Sequence, residues 1–219
     1  MNDRECMEQR VQMLSDGILL EGLLDRRSEE KGMVITHPHP LYGGDMHNSV
    51  VELIKRAATD QGFTTLRFNF RGAGRSQGDF DEGVGEQRDL LAALSYLKEI
   101  GVKKTILAGY SFGAWVIATC FRGKRVPSER VMLIAPPIDF LEFGDDLKIP
   151  GLALVLCGDR DGFADSRDVK RLAGLWNPEA AVTILPGADH FFSGTMDSLK
   201  REVTRSVLSL FHPAPDGGC

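Results

Sequence analysis

The chain is poor in cysteine, carries no basic excess and contains no long apolar run, and each shortage removes a class of protein. Four cysteines among 219 residues make no disulfide framework. Cys120 and Cys157 fall on a helix-like and a strand-like stretch and read as small buried hydrophobes, Cys6 and Cys219 as free thiols near the ends. Cys219 is the last residue, so it makes no prenylation box, which needs its cysteine four from the end. Acidic residues outnumber basic ones, 31 to 26, for a net charge of −5. That excludes nucleic acid as a partner and leaves no basic patch for a membrane surface. No apolar run approaches a membrane span, and polar Met1–Cys6 lacks the apolar core of a signal peptide. A cytoplasmic location with no membrane partner is therefore expected. Repeats and low-complexity linkers are also missing. Residues 1–219 read as a single domain with a sizeable core and a Pro/Gly-rich, frayed tail at 213–219.

What the chain does have is alternation of strand-like and helix-like segments along nearly its whole length, which predicts a mostly parallel sheet covered by helices on both faces. Glu8–Leu14 and Ile18–Leu24 form an opening hairpin around Ser15-Asp16-Gly17. Strands are expected at Gly32–Thr36, Thr64–Phe70, Thr105–Ala108, Arg130–Ile134, Leu152–Cys157 and Ala181–Leu185. Apolar residues at helical spacing predict helices over Asn48–Asp60, Gly85–Ile100, Asp165–Trp176 and from about Gly194 to Phe211.

The most informative segment follows the third of these strands. Gly109-Tyr110-Ser111-Phe112-Gly113 leads into the helix-like Ala114-Trp115-Val116-Ile117-Ala118. A serine on such a strand-to-helix turn has its hydroxyl pushed out of the sheet, and small flanking residues let the backbone turn sharply. The following helix aims free N–H groups at negative charge developing there. Gly-x-Ser-x-Gly gains meaning from what comes later. Leu152–Cys157 runs into Gly158-Asp159-Arg160-Asp161-Gly162, and Ala181–Leu185 runs into Pro186-Gly187-Ala188-Asp189-His190. Ser, Asp and His thus each stand just past a strand's C-terminal end, in the order expected of an α/β-hydrolase and where open parallel sheets place their sites. Ser111 is a poor nucleophile that His190 can deprotonate, and His190 can later protonate the leaving group. A carboxylate would hold the imidazole in its tautomer. Asp161 is preferred, because its distance from Gly158 lets the loop turn back towards the histidine. Asp159 is the alternative, and Asp165 reads as a helix N-cap.

Four blocks carry a resemblance to a known family: His37-Pro38-His39-Pro40-Leu41-Tyr42-Gly43-Gly44-Asp45-Met46-His47-Asn48, Arg67-Phe68-Asn69-Phe70-Arg71-Gly72-Ala73-Gly74-Arg75-Ser76-Gln77-Gly78, the serine turn, and Gly187-Ala188-Asp189-His190-Phe191-Phe192. Together they resemble the α/β-hydrolase superfamily, in particular a small bacterial branch with almost no lid, loosely related to dienelactone hydrolases. Those use cysteine at the turn, whereas this chain has Ser111. The resemblance implies the α/β-hydrolase fold and a serine hydrolase acting on ester or related acyl bonds of a small-molecule substrate, with no cofactor. A thioesterase, peptidase or acyltransferase with the same triad remains open, as does a non-catalytic binding member of the fold. Nothing in the sequence assigns an oligomeric state.

The tetrahedral intermediate of such a reaction needs two N–H donors. Phe112, after the nucleophile, is expected to supply one. The loop after Gly32–Thr36 supplies the other. Pro38 and Pro40 have no N–H, which leaves His39 or Leu41, and the family pattern points to His39. His37, His39, His47 and Asp45 match no zinc spacing, so no metal is expected, and His37 reads as a brace that fixes the loop. Arg71 is expected to hold neighbouring loops together. The connection Ala135–Pro150 has no room for a lid domain, which implies a shallow, exposed site. Phe140, Leu141 and Phe143 either rim it or pack on the core. Tyr42, Tyr110 and Phe112 are further candidates for its wall.

Overall fold

Strands β1 (Gln9–Ser15) and β2 (Ile18–Asp25) open the fold as a hairpin. The two residues between them, Asp16 and Gly17, both have positive φ, the backbone that matches a tight hairpin to the twist of its strands. Then follow β3 (Lys31–Thr36), a short turn of 3-10 helix at Pro40–Tyr42, α1 (Ser49–Asp60), β4 (Thr64–Phe68), α2 (Val84–Glu99), β5 (Lys104–Tyr110) and α3 (Phe112–Cys120). The order is completed by β6 (Arg130–Ile134), β7 (Leu152–Gly158), α4 (Ser166–Trp176), β8 (Ala181–Leu185) and α5 (Met196–Ser209). The structure is a computed structural model and describes residues 8–123, 126–144 and 146–210. Cys6, Cys219, Phe211 and the tail 213–219 lie outside the described residues.

The strands form one sheet in the order β1-β2-β4-β3-β5-β6-β7-β8. From β4 to β8 every pairing is parallel, while β2 runs antiparallel to β4 and to β1. Period-two alternation splits the buried side chains between two cores. Val34, Leu107, Val131, Leu133 and Val155 face one side, with Leu90 and Leu94 of α2, Val116 of α3 and Val169 of α4. Met33, Ile35, Ile106, Met132, Ile134 and Leu156 face the other, with Ile54 of α1 and Leu199 and Val203 of α5. Each fully buried Val, Leu or Ile contributes roughly 1.5–3 kcal/mol. The result is the expected α/β-hydrolase architecture, a mostly parallel sheet with helices on both faces.

Element ends shift for identifiable reasons. β4 stops at Phe68 rather than Phe70, because the Asn69 N–H turns to the Glu21 carbonyl and the Phe70 N–H to the His37 ring. Asn48 and Asp165 are N-caps, each accepting the N–H two residues on. Gly83 lies before α2 in a left-handed conformation, and its N–H donates to Glu86 of the first turn. Phe192 and Gly194 both have positive φ, which delays α5 to Met196. The Ala135–Pro150 connection contains turns and no helix among its described residues. No helix among the described residues is long and apolar enough to cross a membrane.

Candidate active site

Between the last residue of β5 and the first of α3 stands a single residue, Ser111. Reversing the chain in that space forces φ 53° and ψ −118° on it, a region that non-glycine residues avoid. Its N–H donates to the Ile134 carbonyl at 2.9 Å. The two glycines of the motif have a direct steric reason. A Cβ at Gly109 would lie 2.6 Å from the Gly113 carbonyl oxygen, and one at Gly113 would lie 2.7 Å from the His37 carbonyl oxygen. Strand, helix and the loop after β3 therefore meet at backbone contact around Ser111.

The loops after β7 and β8 bring up the partners. Ser111 Oγ lies 2.9 Å from His190 Nε2. His190 Nδ1 lies 2.9 Å from each Asp161 carboxylate oxygen. With a carboxylate at Nδ1 the ring proton sits there, which leaves Nε2 free to accept from the serine hydroxyl. Asp161 is held in turn by the Phe163 N–H at 2.8 Å. Of the two sequence alternatives, it is Asp161 that meets the histidine. Asp159 accepts the Gly187 N–H at 2.6 Å and so fastens the two loops together. The loops approach so closely that a Cβ at Gly158 would fall 2.0 Å from the Ala188 carbonyl oxygen. Asp189 accepts the Phe191 and Ser193 N–H groups within its own turn.

The loop after β3 is braced from below. His37 is fully buried. Its Nδ1 donates to the Pro38 carbonyl at 2.6 Å, and its Nε2 accepts the Phe70 N–H at 3.0 Å. Burial pushes its pKa down to about 4, so the ring is neutral and neither nitrogen is left for a metal. His39 is also shifted down by burial. Its Nδ1 accepts the Leu41 N–H, and its ring lies 4.7 Å from that of Phe112, so this loop adjoins the start of α3. Among the described residues no group of three or more His, Cys, Asp or Glu side chains is placed to hold a metal ion. Arg71 ties loops together, as its sequence context suggested, through the buried Asp89 carboxylate at 2.8 Å and the Ser15 hydroxyl.

A pocket of about 590 Å³ opens over Ser111 and His190. His39, Tyr42, Gly43, Gly44, Asn48 and Phe112 line it on the side of the β3 loop; Pro137, Phe140, Leu141, Phe163 and Phe191 complete it. Tyr42, Phe140 and Phe191 are 77%, 63% and 63% exposed and form an apolar rim. Phe143 does not join them: it is buried and stacks on Trp176 in the core. Tyr110 is the correction to the expected wall. It is only 2% exposed, because period-two alternation along β5 turns it, with Ile106 and Ala108, towards the core under α1 and α5. Its hydroxyl donates to the His190 carbonyl at 3.0 Å, so it props the histidine loop from beneath. Phe163, Phe191, Pro137 and Asn48 are wall residues that sequence reasoning did not single out. Phe163 and Phe191 stand within two residues of Asp161 and His190, and that adjacency was the available signal. A larger groove of about 820 Å³ crosses β1 and β2, lined by Arg10, Glu21, Asp45 and Arg75; it contains no nucleophile and base in contact.

This fold is shared with solved structures. A protein of unknown function from Agrobacterium tumefaciens, ATU1826, described as a candidate α/β-hydrolase, is 35% identical, with a TM-score of 0.86 over 94% of this chain and all of that one. XC6422 from Xanthomonas campestris, described as an α/β serine hydrolase without lid, is 28% identical, with a TM-score of 0.85 over 95% of this chain and 97% of that one. An uncharacterised protein of Rickettsia prowazekii, RP471, is 36% identical over 189 residues, 81% of this chain and 78% of its own length. No family model matches the chain. The chain belongs to the α/β-hydrolase superfamily, among its members without a lid.

Proposed function

We propose that this hydrolase is a carboxylic-ester hydrolase in which Ser111 is the nucleophile, His190 the general base and acid, and Asp161 the carboxylate that orients the imidazole. The observation that carries the reading is the unbroken hydrogen-bond chain Asp161–His190–Ser111 at the floor of an apolar pocket. Ser111 Oγ attacks the acyl carbon as its proton passes to His190 Nε2. The imidazolium that forms is stabilised by Asp161. His190 then gives the proton to the leaving alkoxide, and the acyl group stays on Ser111. Water, deprotonated by His190, attacks the acyl carbon, and the acid is released as the Ser111 Oγ–acyl bond breaks and His190 returns the proton to Ser111 Oγ. The oxyanion is assigned to two backbone N–H groups. Phe112 opens α3, so its N–H has no acceptor within the helix. His39 is preferred over Leu41 because the Leu41 N–H already donates to the His39 ring. Each such donor is worth about a hundred- to a thousandfold in rate. A small-molecule acyl substrate in the cytoplasm fits the reading.

A fluorophosphonate probe tests it, read by intact mass. Wild type is expected to take one adduct, with Ser111→Ala and His190→Ala taking none, and Ser111→Ala is expected to lose turnover of short activated esters. An unlabelled, folded wild type, or activity retained by Ser111→Ala, would overturn the assignment. Comparison of matched oxygen esters, thioesters and amides on the same preparations then separates an esterase from a thioesterase or peptidase.

A further inference from the structure

The first motif of the chain ends at Asn48, and the ester-hydrolase reading gives that residue nothing to do. It caps α1: its Oδ1 accepts the Val50 N–H at 2.9 Å. That bond fixes which end of the amide is which. The carbonyl faces the helix, and Nδ2 with its two donors is left over. Among the described residues Nδ2 has no protein partner. Asn48 is half-buried and lines the pocket that holds Ser111.

The other polar side chains of that pocket are committed, exposed or packed among aromatic rings. Ser111 and His190 bond to each other. The His39 Nδ1 accepts the Leu41 N–H, which leaves its Nε2–H as a donor on a ring set among Tyr42, Phe80 and Phe112, and Tyr42 stands out at the rim. No Lys, Arg, Asp or Glu side chain lines the cavity, so nothing there would pair with a charged group on a substrate. Apolar pockets orient their ligands through a few placed polar groups. Here the Asn48 amide, its carbonyl turned to the helix by the capping bond, is one of two neutral side-chain donors, with His39, in a largely aromatic and aliphatic wall.

We infer that Asn48 is a specificity-determining residue whose Nδ2 donates to a neutral acceptor oxygen on the non-reacting part of the substrate. The preferred substrate class is accordingly an uncharged ester with an apolar body that carries one such oxygen, as an ether, ketone, hydroxyl or second ester. The inference rests on the ester-hydrolase reading.

The test uses the full chain and two series of esters of equal chain length. Each series contains an all-carbon ester and relatives with a single ether oxygen at successive positions, in the acyl part for one series and in the alcohol part for the other. Wild type is expected to prefer one ether position by about three- to tenfold in kcat/KM, the worth of one neutral hydrogen bond, with the gain mainly in KM, as befits binding alike in ground and transition states. Asn48→Ser and Asn48→Asp keep a side-chain oxygen able to cap α1 and remove the amide donors. Both are expected to bring that ratio to about one while thermal unfolding stays near wild type. The inference is overturned by flat series in wild type, or by a preference that survives in both variants. It is also overturned if both variants lower kcat equally for every ester, since Asn48 would then serve the reacting carbonyl. Fluorophosphonate labelling of the same preparations separates the two readings: a labelled Ser111 with flat series ends this inference alone, and an unlabelled wild type ends both.

Discussion

His37 shows how a single buried side chain sets the shape of the site. Both ring nitrogens are engaged, one with Pro38 and one with Phe70, and burial lowers its pKa to about 4 against an ordinary 6.5. Asp45 and the Pro38 carbonyl push the other way without cancelling that effect. Because the folded value is depressed, the unfolded chain takes up the proton first. The stabilisation is fully present above about pH 6.5 and falls as pH drops towards 4, by about 3 kcal/mol. Urea unfolding of wild type and His37→Gln at pH 7.5 and 4.5 checks this. Wild type is expected to lose about 2–3 kcal/mol more than the variant between the two pH values; equal losses would show that His37 is not the group responsible. At this scale the sequence was readable wherever chemistry demands a residue type. Ser111, His190 and Asp161 stand where their order and strand-end positions put them. Tyr110 was misplaced, since the direction of a side chain at a strand end follows from the face of the sheet it lies on, and the elbow motif says nothing of that face.

At the scale of elements, the turn from β5 to α3 depends on close backbone approach. Gly113→Ala would place a Cβ against the Thr36 and His37 carbonyls, at 2.7 Å from each. Neither is the flexible end of a side chain, so the β3 loop must move, and overpacking of this kind costs about 1–3 kcal/mol or more. Gly174→Ala is the contrast: it lies within α4 with open space around it, and the gain in helix propensity is about 0.5–1 kcal/mol. Denaturation midpoints are expected to fall for the first and rise for the second. Fluorophosphonate labelling is expected to slow only in Gly113→Ala, because its displaced loop carries His39. Helices were legible through their apolar spacing and their N-caps. Their exact ends were not: β4 stops two residues early because Asn69 and Phe70 find partners in Glu21 and His37, which are distant in sequence.

Across the whole molecule, the Arg71–Asp89 pair joins parts that are far apart in the chain. The Asp89 carboxylate on α2 is fully buried and accepts from the Arg71 N–H and guanidinium after β4 and from the Ser15 hydroxyl at the end of β1. Removing Asp89 leaves the buried Arg71 with only the half-exposed Asp16 and Asp81 carboxylates, each at 3.9 Å, at a cost of about 3 kcal/mol, the lower end for breaking a buried pair. Asp89→Ala is therefore expected to lower the free energy of unfolding by that amount in a denaturant titration. A change below 1 kcal/mol would mean that the pair is solvated and adds little.

Local information in the sequence was enough for the alternating elements, the sheet with its two covered faces, the absence of a lid, and the serine and histidine of the hydrogen-bond chain. These follow from periodicity, turn residues and chain order, each a property of neighbouring positions. Only the tertiary structure decided which carboxylate meets His190, since Asp161 and Asp159 are two residues apart and part ways through contacts with a loop almost thirty residues on. It likewise sent Tyr110 and Phe143 into the core, left Phe140 on the rim, and brought Asn48 and Phe163 to the pocket wall. Side chains from five separate loops and strand ends converge there, and no pattern of near neighbours specifies how those segments pack.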